Sequence, residues 1–181
     1  MVSLAPRLER TPPSFALSER ARRIKFVLTD CDGVLTDGGV YYSAEGESLK
    51  RFSVRDGMGV ERLRRAGIAT AIVTGEDSGV VRQRAKKLDL PFVFGGIKDK
   101  GAHLATICET TGAGPEELAF IGDDMNDVSI LAALGPHGLT AAPADAMPDV
   151  LAEVHHRCAA AGGHGAFREF AEWILKLREG K

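Results

Sequence analysis

Short apolar runs recur along the chain, with helical patterns between them. Residues 24–29 (IKFVLT), 69–73 (ATAIV), 91–94 (PFVF) and 118–121 (LAFI) read as strands, and 138–141 (GLTA) as a weaker fifth. These runs are brief and do not alternate, as expected of strands covered on both faces of a parallel sheet. Residues 57–66, 78–88, 100–111 and 126–134 carry helical periodicity. The alternation predicts an α/β fold, a Rossmann-like doubly wound parallel sheet with helices on both faces. A last helical pattern over 165–178 places Phe167, Phe170, Trp173, Ile174 and Leu177 on one face, which predicts docking against the sheet.

One segment interrupts the alternation. Residues 33–54 read GVLTDGGVYYSAEGESLKRFSV. Val40-Tyr41-Tyr42 and residues 49–54, on either side of Ala44-Glu45-Gly46-Glu47, predict a β-hairpin inserted after the first strand, within 34–54. A two-stranded hairpin is marginal alone and needs a surface to pack on, either its own domain or another subunit. The first 22 residues read as a polar, Pro-containing arm of undetermined order, and 23–181 as one domain.

Composition narrows the function classes. The chain of 181 residues is 44% hydrophobic, with 23 basic and 25 acidic residues and a net charge of -2. No basic excess points to nucleic acid or an anionic membrane. No apolar stretch approaches the roughly 20 residues of a membrane span, and no secretory signal is visible at the start. Cys31, Cys108 and Cys158 are scattered and odd in number, which predicts a reducing cytoplasm rather than a disulfide framework; a zinc site is the weaker alternative, since no CxxC pair exists.

The chemistry sits at the ends of the predicted strands, where open parallel sheets bind ligands. Strand one runs into Asp30-Cys31-Asp32-Gly33, two acids one residue apart followed by a glycine that lets the chain turn away. Such hard oxygen donors suit magnesium; a polar turn is the alternative for the tetrapeptide alone. The strand at 118–121 runs into Gly122-Asp123-Asp124-Met125-Asn126-Asp127. Helix capping accounts for one or two of these acids, but three here and two after strand one imply a cation. Thr74-Gly75, after the second sheet strand, offers a hydroxyl and free backbone N–H groups to a phosphate, or a simple turn. Lys100, at the start of a helical pattern, is placed to pair with Asp30 and a phosphate. Lys98 is its competitor, and Lys100 is chosen because it opens that pattern.

Taken in order, these pieces resemble the haloacid dehalogenase superfamily: DxDG, then Ser/Thr after strand two, then Lys, then a GDDxxD-like cluster, over residues 24–127. The resemblance implies that Asp30 is a nucleophile forming an aspartyl-phosphate and that Asp32 is the general acid/base, its carbonyl a metal ligand. It implies further that Asp30, Asp32 and Asp123 hold Mg2+, that Asp124 and Asp127 are supporting acids, that Thr74 binds phosphate and that Lys100 neutralises charge.

The stretches DGVLTDGGVYY, GESLKRFSVRDGMGV, VTGE, GDDMNDVSIL and GGHGAFREFAEWIL resemble more closely the 3-deoxy-D-manno-octulosonate 8-phosphate phosphatase family and its relatives acting on nine-carbon keto-acids. That likeness implies a phosphatase of an acidic sugar phosphate without a large cap domain, assembled as a homotetramer through the hairpin so that neighbouring subunits help close each site. Arg55 is a candidate for a sugar carboxylate or phosphate, or a solvated helix-start residue. Gly75 and Glu76 follow Thr74. Where the eight-carbon enzymes commonly have Arg after Thr-Gly, this chain has Glu76, and Glu76 with Arg84 and Lys87 is similar to the nine-carbon branch. The tail has His164 where the family often has Arg, and keeps Arg168. Two further readings compete: a phosphatase of another small metabolite, and a non-catalytic tetramerisation domain.

Overall fold

The computed structural model describes residues 13–180. Helix α1 (Pro13–Arg23) leads into β1 (Phe26–Thr29), followed by a hairpin of β2 (Val40–Ser43) and β3 (Gly46–Lys50). Then come α2 (Val54–Arg65), β4 (Ala69–Val73), α3 (Gly79–Lys87), β5 (Phe92–Phe94) and α4 (Leu104–Thr111). A 3-10 turn at Pro115–Glu117 precedes β6 (Leu118–Ile121), α5 (Met125–Leu134), β7 (Leu139–Ala142), α6 (Pro148–Ala152), β8 (His156–Arg157) and α7 (Ala166–Glu179). The main sheet has the order β5-β4-β1-β6-β7-β8, with every pairing parallel.

Successive residues of the central strands feed two cores, one on each face. Val27, Ile72, Ala119 and Ile121 join residues of α1, α2, α3 and α7, including Leu63, Val81, Phe167 and Phe170. Their neighbours Leu28, Ala71, Val73, Leu118 and Phe120 join Ile107, Ile130, Leu134 and Val150 of α4, α5 and α6. Both side-chain registers of a strand are therefore apolar, the physical origin of the non-alternating runs. Strand order reverses at β1, which lies between β4 and β6. A crevice opens at the carboxyl ends of strands at such a switch point, and Asp30 and Gly122 follow the two strands that flank it.

Several boundaries differ from the sequence expectation. The hairpin turns at Ala44-Glu45, and its second strand is 46–50, not 49–54. Ser43 closes the turn by accepting the Glu45 N–H and donating to the Glu45 carboxylate. Ser53 then caps α2 by accepting from the Arg55 N–H, so Val54 starts a helix instead of ending a strand. Lys100 does not open a helix: Asp99 accepts from the Ala102 N–H and from Ser129, holding 99–102 as a turn ahead of α4. Of the N-terminal arm, residues 13–22 fall in α1, where Ala21 is fully buried in the core that includes α7; residues 1–12 lie outside the described residues. Among the described residues no helix is long and apolar enough to cross a membrane.

Candidate active site

Asp30 follows β1 and is 3% exposed. Its Oδ1 accepts from the Cys31 N–H at 2.7 Å and pairs with Lys100 Nζ at 2.8 Å. Lys100 is fully buried and reaches Asp127 Oδ1 at 2.5 Å as well. The other Asp127 oxygen accepts from the backbone N–H groups of Asp123 and Asp124, so the loop after β6 is wound around this one carboxylate. Carboxylate oxygens of Asp30, Asp123 and Asp127 all lie within 4.8 Å of one another.

Two buried acids, Asp30 and Asp127, share one buried lysine, and half-buried Asp123 beside them leaves an excess of negative charge. Burial first, and then the neighbouring carboxylates, push the Asp123 carboxyl up to about 8. Burial pushes Asp30 up to about 6 although Lys100 and the Cys31 N–H pull it down. Burial opposes the charge on Lys100, but Asp30 and Asp127 outweigh it and raise its pKa. Among the described residues, Asp123 Oδ1 is buried without a hydrogen-bond partner. An orphaned carboxylate oxygen beside like charges fits a hard divalent cation such as Mg2+, with Asp30 and Asp123 as carboxylate ligands. Gly33 makes the approach possible: its φ is +85°, and a Cβ there would lie 2.0 Å from Asp123 Oδ2.

A cavity of about 500 Å³ opens over these acids. Its walls include Thr74, Gly75 and Glu76 from the end of β4, Asp124 and Asn126 at the start of α5, and Tyr42, Glu47 and Lys50 from the hairpin. Thr74 is 2% exposed and its hydroxyl accepts from the Glu76 N–H. Asp124 is exposed and caps α5, accepting from the Met125 N–H at 2.6 Å.

Asp32 faces the hairpin. Lys50 Nζ donates to both of its oxygens, at 2.7 and 2.8 Å, and lies 3.2 Å from Glu47. Burial opposes the Lys50 charge, but its bonds to Asp32 and Glu47 raise its pKa. Glu47 in turn accepts from the Ser78 hydroxyl at the start of α3. Sequence reasoning missed Lys50, whose side chain is 1% exposed. Its one signal, a lysine at the end of a hairpin strand, has no meaning until the fold brings the hairpin over Asp32.

The remaining expected site residues do not line this cavity within one chain. Arg84 donates to the Ser53 carbonyl at 2.9 Å and covers the Phe52 ring, bracing the link between hairpin and α2. Lys87 is exposed. Arg168 pairs with Glu172 on its own helix. Arg55 and His164 border a separate cavity of about 370 Å³, where the His164 ring turns back to the Gly162 carbonyl. Lys98, the competitor of Lys100, is exposed.

Residues 51–135 match the family model for haloacid dehalogenase-like hydrolases. The chain is 40% identical over 162 residues to the 3-deoxy-D-manno-octulosonate 8-phosphate phosphatase of Haemophilus influenzae, covering 90% of this chain and 88% of that protein. It superposes on the cobalt-bound structure of the Haemophilus influenzae phosphatase with a TM-score of 0.83, covering 88% of this chain and 92% of that one at 40% identity. A Moraxella catarrhalis phosphatase of the same name, in complex with magnesium, phosphate and a KDO molecule, superposes with a TM-score of 0.84 at 33% identity, covering 91% of this chain and 93% of that one. The acid crevice at the switch point thus stands in a molecule that belongs to the 3-deoxy-D-manno-octulosonate 8-phosphate phosphatase family of haloacid dehalogenase-like hydrolases.

Proposed function

We propose that the chain is a magnesium-dependent phosphatase that hydrolyses 3-deoxy-D-manno-octulosonate 8-phosphate through an aspartyl-phosphate on Asp30. The observation that carries this reading is the convergence of Asp30, Asp123 and Asp127 with fully buried Lys100 at the carboxyl end of the sheet. Asp30 Oδ1 is held by Lys100 and Cys31, which fixes the carboxylate and leaves Oδ2 to attack phosphorus. As the bond from phosphorus to the sugar oxygen breaks, Asp32 gives that oxygen a proton. Asp32 then takes a proton from water, which attacks phosphorus, releases phosphate and restores Asp30. Thr74 and the backbone of Gly75 hold phosphate oxygens, while Lys100 offsets the charge that gathers on them. Magnesium, when bound by Asp30, Asp123 and the Asp32 carbonyl, neutralises the acids so that the phosphate can approach.

Assembly through the hairpin belongs to the same proposal. Tyr41, Tyr42 and Leu49 are 57%, 74% and 64% exposed, a concentration of apolar surface on a two-stranded sheet. Arg55, Lys87 and Arg168, which do not line the cavity of their own chain, are then candidates for a neighbour's site, while Arg84 braces the link between hairpin and α2. The free thiols of Cys31, Cys108 and Cys158 support a cytoplasmic setting. A second reading, a nine-carbon keto-acid phosphate, draws on Glu76, which lines the cavity.

Phosphate release from the eight- and nine-carbon esters, measured side by side with and without Mg2+, tests the assignment. The eight-carbon ester should be preferred, EDTA should stop release, and Asp30→Asn should lower turnover at least about 10⁴-fold while the fold persists. Preference for the nine-carbon ester would move the specificity to Glu76. Turnover surviving in Asp30→Asn would remove the nucleophile.

A further inference from the structure

On the side of the sheet bounded by β8, a second group of metal-ligating side chains comes together. His156, Cys158 and Glu169 each present one donor atom, and these atoms lie within 4.8 Å of one another. His156 and Cys158 are two residues apart on extended backbone: His156 pairs with Ala141 in the sheet, and the Cys158 N–H continues the ladder to the Ala142 carbonyl at 2.9 Å. Their side chains therefore share a face. Glu169, on the first turn of α7, faces both.

The ion pair between His156 and Glu169 is long and leaves Cys158 outside it. His156 Nε2 lies 3.5 Å from Glu169 Oε1, yet it is buried without a hydrogen-bond partner among the described residues. Burial, partly offset by Glu169, lowers the His156 pKa, which favours the neutral ring that ligates metals. The ring is held in place by stacking on Trp173, with centroids 4.7 Å apart and planes 17° apart. Glu169 is held too, accepting from the N–H groups of Ala159 and Ala160 at 2.9 to 3.0 Å, with lone pairs left over. Cys158 is 4% exposed and its thiol points to the Ala166 carbonyl at 3.4 Å. All three donors are thus oriented by neighbours before any ligand arrives, as metal-site side chains usually are.

We propose that His156, Cys158 and Glu169 form a second metal site, selective for a Zn2+-class ion and separate from the magnesium acids. One nitrogen, one sulfur and one oxygen donor suit Zn2+ and not Mg2+, which takes oxygen ligands. Zinc bonds of about 2.0–2.3 Å put tetrahedral ligands roughly 3.3–3.8 Å apart, and the His156–Glu169 separation of 3.5 Å already fits. Sulfur closes the set with a small side-chain movement, its proton leaving to solvent as the metal–sulfur bond forms. Three protein donors would leave the fourth tetrahedral position to water.

The ion would fasten the root of a loop that matters to the acid crevice. Residues 158–165 run from β8 to α7 and pack against the segment after Asp32. The Gly163 N–H donates to the Val34 carbonyl at 2.9 Å, and a Cβ on Gly162 would stand 1.9 Å from the Gly33 carbonyl oxygen. Joining Cys158 to Glu169 through a metal ties the two ends of that loop together.

Cobalt(II) reports the site independently of phosphatase activity, because a thiolate ligand gives a near-ultraviolet charge-transfer band that carboxylates do not. With Mg2+ in excess, Co2+ added to the full chain should give this band at one equivalent, and Zn2+ should remove it. The band should persist in Asp123→Asn, which damages the magnesium site, and vanish in Cys158→Ser. His156→Gln keeps the thiol and removes a partly exposed ring; it should weaken Zn2+ binding at least about tenfold in competition with a chromophoric chelator. Absence of the band in the wild-type protein overturns the proposal. So does a band that survives Cys158→Ser, or an affinity unchanged in His156→Gln.

Discussion

Asp30 and Asp32 are two residues apart, yet they live in different parts of the molecule. Asp30 is anchored in the main sheet: its partner Lys100 is fully buried and shared with Asp127, itself wrapped in the backbone of the β6–α5 loop. Asp32 is held from outside the sheet by Lys50, on a hairpin whose first strand is exposed along its whole length. The first carboxylate is fixed by the core of the fold. The second is fixed by an insertion that ties to the core through Lys50 and through the link from Glu47 to Ser78. The two carboxylates therefore depend on different kinds of stability.

Removing Lys100 should expose the first half of this contrast most strongly. Lys100→Met leaves buried Asp30 and Asp127 without the buried cation they share, beside half-buried Asp123. Losing one partner of a buried ion pair costs about 3–5 kcal/mol. For a chain of this size that lowers Tm by roughly 10 °C, and turnover should fall about 10³-fold with the loss of charge stabilisation. Calorimetry and phosphate release check both. Saturating Mg2+ should recover more of the Tm in Lys100→Met than in the wild-type protein, since the ion then becomes the sole counter-charge. A variant as stable as wild type without metal would show that the acids do not repel.

The same acids set a pH dependence. Asp30 and Asp123 are raised from an ordinary 3.8 to about 6 and about 8. Groups with raised folded pKa values bind more protons folded than unfolded, so the stability they contribute is present below pH 4 and is lost as pH rises through 6 and 8. The metal-free protein should therefore lose Tm between pH 5 and pH 8. Magnesium should restore it by several degrees at pH 8 and by little at pH 5. A metal-free Tm that rises across this window would contradict the assigned burial of these acids.

This contrast also divides what could be read before the fold was known. β1, β4, β5, β6 and β7 are legible because strands covered on both faces form short, uncharged and mostly apolar runs that do not alternate, as Val27 and Leu28 show by feeding opposite cores. Asp30 and Asp123 were legible because they sit directly after such strands. β8 was not, since a two-residue edge strand leaves no pattern, and α6 has only five residues. The hairpin register was misread because β2 faces solvent and offers no buried alternation to count. Lys50 is hidden because its main partner, Asp32, lies 18 residues away and meets it only in the fold.

Lys50→Met should act on the second half alone. It removes two of the bonds that orient Asp32, leaving the longer one from the Thr36 hydroxyl, and keeps Lys100, Asp30 and Asp123 in place. A misplaced catalytic group costs on the order of 10²-fold, so kcat should fall between about 10- and 100-fold. The Tm of the magnesium-bound protein should change far less than in Lys100→Met. Arg at this position should rescue part of the loss through a two-pronged contact with the carboxylate. An equal Tm loss in the two lysine variants would mean that the hairpin is as much a part of the core as the sheet.

Ser78 offers the finest separation, because it does two jobs. Its hydroxyl accepts from the Val81 N–H to cap α3 and donates to Glu47, which flanks Lys50. Alanine would remove both, and the loss of the cap alone costs about 1 kcal/mol. Aspartate keeps the cap but cannot donate when ionised, and its charge repels Glu47. Ser78→Asp should thus hold stability within about 1 kcal/mol of wild type while loosening the hairpin. Partly exposed polar links of this kind are worth about 0.2–1 kcal/mol, so kcat should drop roughly two- to fivefold. In Lys50→Met, where the hairpin no longer holds Asp32, the same substitution should cost nothing further. Additive losses in that double variant would show that Ser78 acts on the site by another route, such as through the neighbouring Glu76 that lines the cavity.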